Sequence, residues 1–463
     1  MIWLGALVGF TGYSCFLCAQ LLQNYFSYPT STKTSIVKEI PTQFPKISFC
    51  NIKSLDSSNN LTITYLNLNP GIDDEDSART VIGNDKNLTD EVKKEMSFNI
   101  EDMLVYCYFN FKYCNASDFK YFYSSSYGNC YSFNSGFNSN GKNQSIKNVN
   151  SGGYLYGLQL TLYLGDPSVD LYHTYSAGVV VSIDNQTTVP FTQNDLIKVG
   201  AKTNTDLIVN RNFNYKLPYP YGYCLDDSSS ASSFSSKYFD YIVKTKGYNY
   251  SEEYCYSLCI QQQNILFCGC ANIWIPSFDN SSSNYCSTTV ELDCVFNLIS
   301  LKGDNFTDEC SLACPFTCFS IDYNVVSHSA LYPNFFESND LYQWAQSNGK
   351  TISLTEVAES YLQFNVFYHN MQYSITQDIA QMQVADVISN FGGIVSMFIG
   401  ITFFIVIAII DLVWKLLHVF VTFYSNKRKA SNNVVGTILD GKKDIPAFQK
   451  AELGKSNLDE IIL

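Results

Sequence analysis

Charge and histidine are both scarce in this chain. Only 15% of its 463 residues are Asp, Glu, Lys or Arg, and there are four histidines. Acids outnumber bases 42 to 29, giving a formal charge of −13. A nucleic-acid partner needs a basic face, and none is on offer. Four histidines leave little material for a metal centre or for proton transfer. His173, His328 and His369 are isolated from one another in sequence and read as hydrogen-bonded polar residues of a fold. HExxH, GxxxxGK(S/T) and GxSxG are all missing. No enzyme chemistry and no cofactor are expected. The low charge is paired with 34 Tyr and 33 Phe, a load that suits strands and excludes a disordered acidic chain.

Long uncharged runs are also few, and the two present are informative. Ile2–Leu22 has 21 residues and no charge. A signal peptide is the competing reading. No basic region precedes the run and no clear small-residue cleavage site follows it, so a membrane-crossing helix is preferred. The second run, Val387–Ile410, has 24 residues without a formal charge. It contains Gly392, Gly393 and Gly400, and each glycine costs a helix about 1 kcal/mol. Lys427-Arg428-Lys429 follows shortly after, which marks a cytosolic flank. The topology expected is in–out–in, with both ends cytosolic and a large extracellular domain.

The region between the runs has its own signature. Eight Asn-X-Ser/Thr sequons occur there, at Asn60, Asn87, Asn115, Asn143, Asn185, Asn249, Asn280 and Asn305. Confined to one region, they predict glycosylation on an extracellular face. Fourteen of the 16 cysteines lie between Cys50 and Cys318, a disulfide framework for an oxidising compartment. Cys15 and Cys18 fall inside the first apolar run and read as unpaired small apolar residues. CxxxC spacing at Cys255/Cys259, repeated at Cys310, Cys314 and Cys318, puts thiols one helical turn apart. A ladder of bridges between two such elements is preferred to a zinc site, given the scarcity of histidine.

Up to about residue 220 the pattern reads as strands and turns. Tyr154–Gly165 alternates, Ser176–Ile183 is a buried-type run, and Leu362–Thr376 is a further strand. Ser251 followed by two glutamates starts a helix.

Several short stretches now fall into an order that resembles the degenerin/epithelial sodium channel family, a group of trimeric cation channels. They are YFSYP (25–29), FPKISFCN (Phe44–Asn51), GNCYSFNSG (Gly128–Gly136), YPYGYC (219–224) and SNFGGIVSMFIGIT (389–402). The resemblance runs from the first apolar segment to the end of the second. It implies a membrane α+β fold, with two transmembrane helices flanking a disulfide-rich ectodomain. That ectodomain would have a β-sheet palm and β-ball core with peripheral finger, knuckle and thumb helices. The divisions implied are a first helix at 2–24, an ectodomain at 25–385 with a thumb at about 224–320, a pore-lining segment at 386–420 and a cytosolic tail at 421–463.

The resemblance also implies bridges Cys50–Cys130, Cys107–Cys114, Cys224–Cys318, Cys255–Cys314, Cys259–Cys310, Cys268–Cys294 and Cys270–Cys286. The function it implies is a voltage-insensitive, amiloride-sensitive sodium channel subunit in the plasma membrane, acting as a homo- or heterotrimer with family subunits. A broken helix at Gly400 would offer carbonyl oxygens to the permeant sodium ion. Close packing through small residues is the competing use of these glycines.

The implied filter is Gly400, Ile401 and Thr402, where the family has Gly-X-Ser. Ser389 matches the family's degenerin gate position, and Gly392 and Gly393 stand before the filter. Asp386 would form an outer ring and Asp411 an inner one, although Asp411 could equally sit solvated at the headgroups. Ala408 stands where an acid is common. Tyr25 and Tyr221 match a pair that couples thumb to first helix. The family's His-Gly gating motif belongs upstream of the first helix, outside this sequence.

Thr187 and Thr188 stand where acid-sensing members carry titrating carboxylates, so a peptide ligand, force or constitutive opening is expected before protons. Two rival readings remain at this point. One is a non-conducting subunit of a heteromeric channel. The other is a bitopic glycosylated receptor or adhesion protein, which leaves the glycine-broken second run unexplained.

Overall fold

The structure, a computed structural model, describes residues 2–167, 174–191, 196–226, 236–276, 278, 284–302, 304–350, 352–400 and 407–423. It comprises two compact units, residues 28–382 and residues 1–27 together with 383–463.

The larger unit is built on two main sheets. Its strands are β1 (Thr30–Lys38), β2 (Thr42–Gln43), β3 (Lys46–Asn51), β4 (Leu104–Phe109), β5 (Lys112–Tyr113), β6 (Phe119–Ser124) and β7 (Gly128–Phe133). The chain continues with β8 (Asn148–Val149), β9 (Leu158–Tyr163), β10 (Gly178–Asp184), β11 (Ile197–Gly200), β12 (Thr203–Tyr215), β13 (Phe319–Leu331) and β14 (Tyr361–Ala380). One sheet has the order β13-β12-β14-β9-β4-β5, with β1 added along β14. The other has the order β11-β10-β3-β7-β6.

The chain is rich in the residues that fit pleated, half-buried surfaces, and the core between these strands is correspondingly aromatic. Phe44, Phe49, Phe119, Phe133 and Phe364 are essentially inaccessible to solvent. Phe49 meets Phe119 at 5.7 Å and Phe364 at 5.9 Å, both edge-on, the geometry that ring quadrupoles favour.

Two expectations need correction. Tyr154–Gly165 is not one alternating strand: Tyr154–Tyr156 is a 3₁₀ turn and β9 starts at Leu158. All six residues of β9 are buried, because the alternation in its sequence faces packed layers on both sides. Secondly, the stretch before residue 220 is not only strands and turns. It holds α2 (Asn60–Leu68), α3 (Glu75–Asn84), α4 (Asp90–Met96) and α5 (Ile100–Met103), numbered after α1 (Ile2–Phe26). Each of the first three begins at a side-chain cap, from Asn59, Asp74 and Thr89 in turn. These helices are too short to show a clear apolar period.

The remaining helices of this unit are α6 (Lys237–Asp240), α7 (Glu252–Cys268), α8 (Thr289–Lys302), α9 (Asp304–Ala313), α10 (Phe335–Ser347) and α11 (Val357–Ser360). Ser251 caps α7, and Gly269 ends it in the left-handed region. Seven disulfides are closed: Cys50–Cys130, Cys107–Cys114, Cys224–Cys318, Cys255–Cys314, Cys259–Cys310, Cys268–Cys294 and Cys270–Cys286. These are the pairs that the resemblance implies. Two of them tie successive turns of α7 to the end of α9 as antiparallel rungs. Cys15 and Cys18 are free.

The smaller unit contains α1, α12 (Val384–Ile399) and a helix at 407–423. Phe398 of α12 packs edge-on against Tyr13 of α1 at 5.3 Å, with Phe10 at 6.3 Å. Among the described residues no helix is long and apolar enough to cross a membrane. The second apolar run is divided, since α12 stops after 16 residues at Gly400. In α1 the side chains of Ile2, Trp3, Leu4, Ala6 and Leu7 lie outside the description.

Candidate functional site

The break in the second apolar run has a definite geometry. Gly400 caps α12 with φ +71°, and its N–H donates to the Ser396 carbonyl. That left-handed conformation costs a residue with a Cβ on the order of 1–2 kcal/mol. Among the described residues no atom lies within 4 Å of where a Gly400 Cβ would stand. The backbone turn itself therefore favours glycine here. Ile401 and Thr402 lie outside the described residues.

Ser389, Gly392 and Gly393 occupy exposed positions of α12, with open space around both glycines. Asp386 is the third residue of that helix, and its carboxylate accepts from the Gln383 N–H at 2.9 Å in a capping box. Asp411, in the 407–423 helix, is paired with Lys415 one turn later at 2.8 Å, both side chains exposed. Both carboxylates are thus engaged locally, one as a cap and one as an ion pair.

The two ends of the larger unit leave it side by side. β1 and β14 pair antiparallel from Thr30↔Ala380 to Lys38↔Gln372. Just before β1, Tyr28 sits at φ +50° and its ring meets Tyr221 edge-on at 5.3 Å. The ring of Tyr25 meets Phe26. Sequence reasoning singled out Tyr25 and Tyr221 and passed over Tyr28. Tyr28 belongs to the same aromatic cluster, YFSYP.

A cavity of about 220 Å³ lies between Thr187 and Thr188, the start of α7, and β13. Thr187 and Thr188 bring no carboxylate to it, yet Glu252, Glu253 and Asp322 line it. Burial raises the Glu252 pKa, opposed by Lys216. Asp322 accepts from the Asn214 amide. The Thr187 carbonyl accepts the Asn249 N–H at 3.0 Å, so the loop after β10 is tied to the entry of the thumb.

The same loop is held from the β3–β10 side. Lys46 and Asp184 face each other in the β3–β10 register, each 2% exposed, and the Lys46 ammonium donates to the Thr188 carbonyl. Burial lowers the Lys46 pKa to about 8, against the attraction of Asp184. Burial raises that of Asp184. Near neutral pH Lys46 carries its proton.

The sequon residues Asn60, Asn87, Asn115, Asn143 and Asn249 are exposed and Asn185 is half-buried. Asn305 falls in α9, and Asn280 lies outside the described residues.

The profile of the family described as "Amiloride-sensitive sodium channel" matches residues 1–412. The chain therefore belongs to the amiloride-sensitive sodium channel family, a family of ion channels and not of enzymes. Among curated relatives, the epithelial sodium channel subunit gamma of Rattus norvegicus is 26% identical over 330 residues, 69% of this chain and 47% of that protein. The subunit beta of Neoceratodus forsteri is 25% identical over 345 residues, 73% of this chain and 51% of that protein. The chain spans about half the length of the curated relatives it matches. A solved proton-activated chloride channel overlays at a TM-score of 0.34 with 5% identity, across 85% of this chain and 91% of that one. That overlay is too loose to carry an argument.

Proposed function

We propose that this chain is a pore-forming subunit of a sodium-conducting, amiloride-sensitive trimeric channel in the plasma membrane. In this reading residues 2–24 and 386–420 cross the bilayer, 25–385 are extracellular and 421–463 are cytosolic. The observation that carries it is the left-handed Gly400 ending α12 within an apolar run. Irregular backbone at membrane depth is tolerated only where it faces protein or water, and a central pore in an oligomer supplies that. Gly400, Ile401 and Thr402 form the filter, Ser389 sits at the gate, and Asp386 and Asp411 flank the pore. Tyr25 and Tyr221 couple thumb to membrane. The sequons carry glycans. The stimulus is an extracellular ligand, force or none, before protons, because threonines occupy positions 187 and 188.

The test is expression in oocytes of the Ser389→Phe form, with sodium current recorded with and without amiloride. A blocked inward current that disappears on Gly400→Arg is expected. Absence of current from glycosylated protein at the cell surface would sink the self-sufficient pore. One observation favours a modulatory subunit as the second reading: Asp411 is already paired with Lys415 and Ala408 replaces a common acid, so the inner mouth offers cations little free negative charge. Current that appears only with a co-expressed family subunit would select it.

A further inference from the structure

Two of the eight sequon asparagines stand on the wall of one cavity. It is the space of about 220 Å³ between the loop after β10, the start of α7 and β13, and both Asn185 and Asn249 line it. We propose that the first sugar of an N-linked glycan on Asn185 is seated in this cavity and fills it. The proposal rests on the extracellular placement of residues 25–385.

Asn185 is the sequon residue that the fold holds at the wall. Among the sequon asparagines whose exposure is described, it alone is half-buried. Its side-chain oxygen accepts the Gln186 N–H at 2.8 Å, and its amide nitrogen donates to the Thr187 hydroxyl at 3.4 Å. In glycosylation the Asn185 Nδ2 loses one hydrogen and bonds to the anomeric carbon of N-acetylglucosamine. The donor is an oligosaccharide on a lipid pyrophosphate. Its anomeric C–O bond breaks, and the pyrophosphate leaves with the electron pair as the Nδ2 proton departs. The second Nδ2 hydrogen stays behind for Thr187. The modification thus keeps the side chain in place, and the sugar starts at the cavity wall. Asn249 is exposed at the rim, and its backbone N–H is held by the Thr187 carbonyl at 3.0 Å.

The other walls suit a pyranose ring. Phe316 and Phe319 line the cavity and are 57% and 38% exposed, an apolar surface that the C–H face of a sugar would cover. Glu252 and Asp322 bring acceptors for hydroxyl groups, and Lys216 and Ser320 bring donors for the acetamido carbonyl. The Lys216 ammonium lies 5.0 Å from the Phe316 ring centroid, so polar and apolar walls adjoin. Pockets for free drug-sized ligands commonly start at about 300 Å³. This one is small for such a ligand and suits a single tethered sugar. A seated sugar also bridges the loop after β10 to the entry of α7.

The test uses the full chain, expressed in glycosylating cells and purified in detergent. Glycopeptide mass spectrometry reads occupancy, before and after an endoglycosidase that cuts between the first and second sugars. On the native protein the Asn185 glycan should be cut about ten-fold more slowly, or slower still, than those on Asn60, Asn87, Asn143 and Asn249, because cutting it needs a local opening. After denaturation all should be cut alike. Phe316→Ala, at an exposed side chain, should remove most of the protection, and Phe316→Trp should keep it. Protection untouched by Phe316→Ala would put the sugar elsewhere and overturn the proposal. So would an Asn185 glycan cut as fast as the rest, or protection at Asn249 alone. If Phe316→Ala fails to fold, a density map of the glycosylated parent decides: a sugar ring on Asn185 touching Phe316 or Phe319 supports the seat, and one projecting into solvent overturns it. Unmodified Asn185 beside glycans on Asn60 and Asn87 overturns the proposal and leaves the extracellular placement standing. No glycan at any sequon overturns both.

Discussion

β10 and α7 bury their side chains in different company. All seven residues of β10 are buried, among Phe49, Val181, Leu160 and their neighbours in a core of more than twenty apolar side chains. α7 has 17 residues, of which six are buried, and its core includes Cys255, Cys259, Cys310 and Cys314. Five of the seven disulfides join residues between Cys224 and Cys318. The sheets thus rest on buried area, worth about 25 cal/mol per Å². α7 and its neighbours have a smaller core and add covalent closure, which acts largely on the unfolded chain. A part held by bridges can move as a rigid body while a part held by packing cannot shift without opening voids.

The largest effect should come from the ball. Lys46→Met leaves Asp184 buried without its counter-charge and is expected to cost about 3–5 kcal/mol, whereas Lys46→Met with Asp184→Leu should be neutral or stabilising. Denaturant unfolding of the two variants measures this. The sign with pH also follows. Folding lowers the Lys46 pKa to about 8 from 10.5, so the unfolded chain keeps the proton longer. The Lys46 contribution to stability should be flat below about pH 8 and rise as pH goes from about 8 to 10.5. A fall in that window that is absent from the double variant would contradict the assignment.

Next comes the ladder. Replacing both Cys259 and Cys310 by Ser opens a closed loop and should cost about 2–4 kcal/mol. Faster amide exchange in α7 and α9, with β9 and β10 unchanged, is the expected pattern. Equal loosening of both regions would erase the contrast between them.

The smallest is Ser251→Ala, which removes the cap from the first turn of α7 and should cost about 1 kcal/mol. With the bridges intact the loss should appear as fraying of residues 252–255, followed by exchange, with little change in global melting.

The thumb was the most legible part of the sequence, because cysteines at one-turn spacing announce both helix and ladder. The break at Gly400 was legible too, since a glycine inside an uncharged run has few uses. β10 could be read because a run of valines has no other home. The helices from Asn60 to Met103 could not, being shorter than the window over which a helical period shows. Lys46 and Asp184 each look like surface residues in sequence. Only the β3–β10 register, set by segments far apart in the chain, puts them together underground. Arg79 is similar, since its ring partners Tyr127 and Trp274 come from a turn and from the loop after α7. Tyr28 was one residue of a readable cluster, and its contact with Tyr221 goes with a positive φ that no local pattern signals.

The pairing of β1 with β14 has a mechanical consequence. β1 lies at the margin of its sheet and pairs with β14, through nine facing residue pairs. A pull on β1 along its axis therefore strains all nine in shear at once, where a peel would break them singly. β14 is meanwhile bonded on its other side to β12, from Tyr373 to Gln377. Tension arriving by either exit is shared across three strands, so the two exits travel together like the paired cords of one hoist.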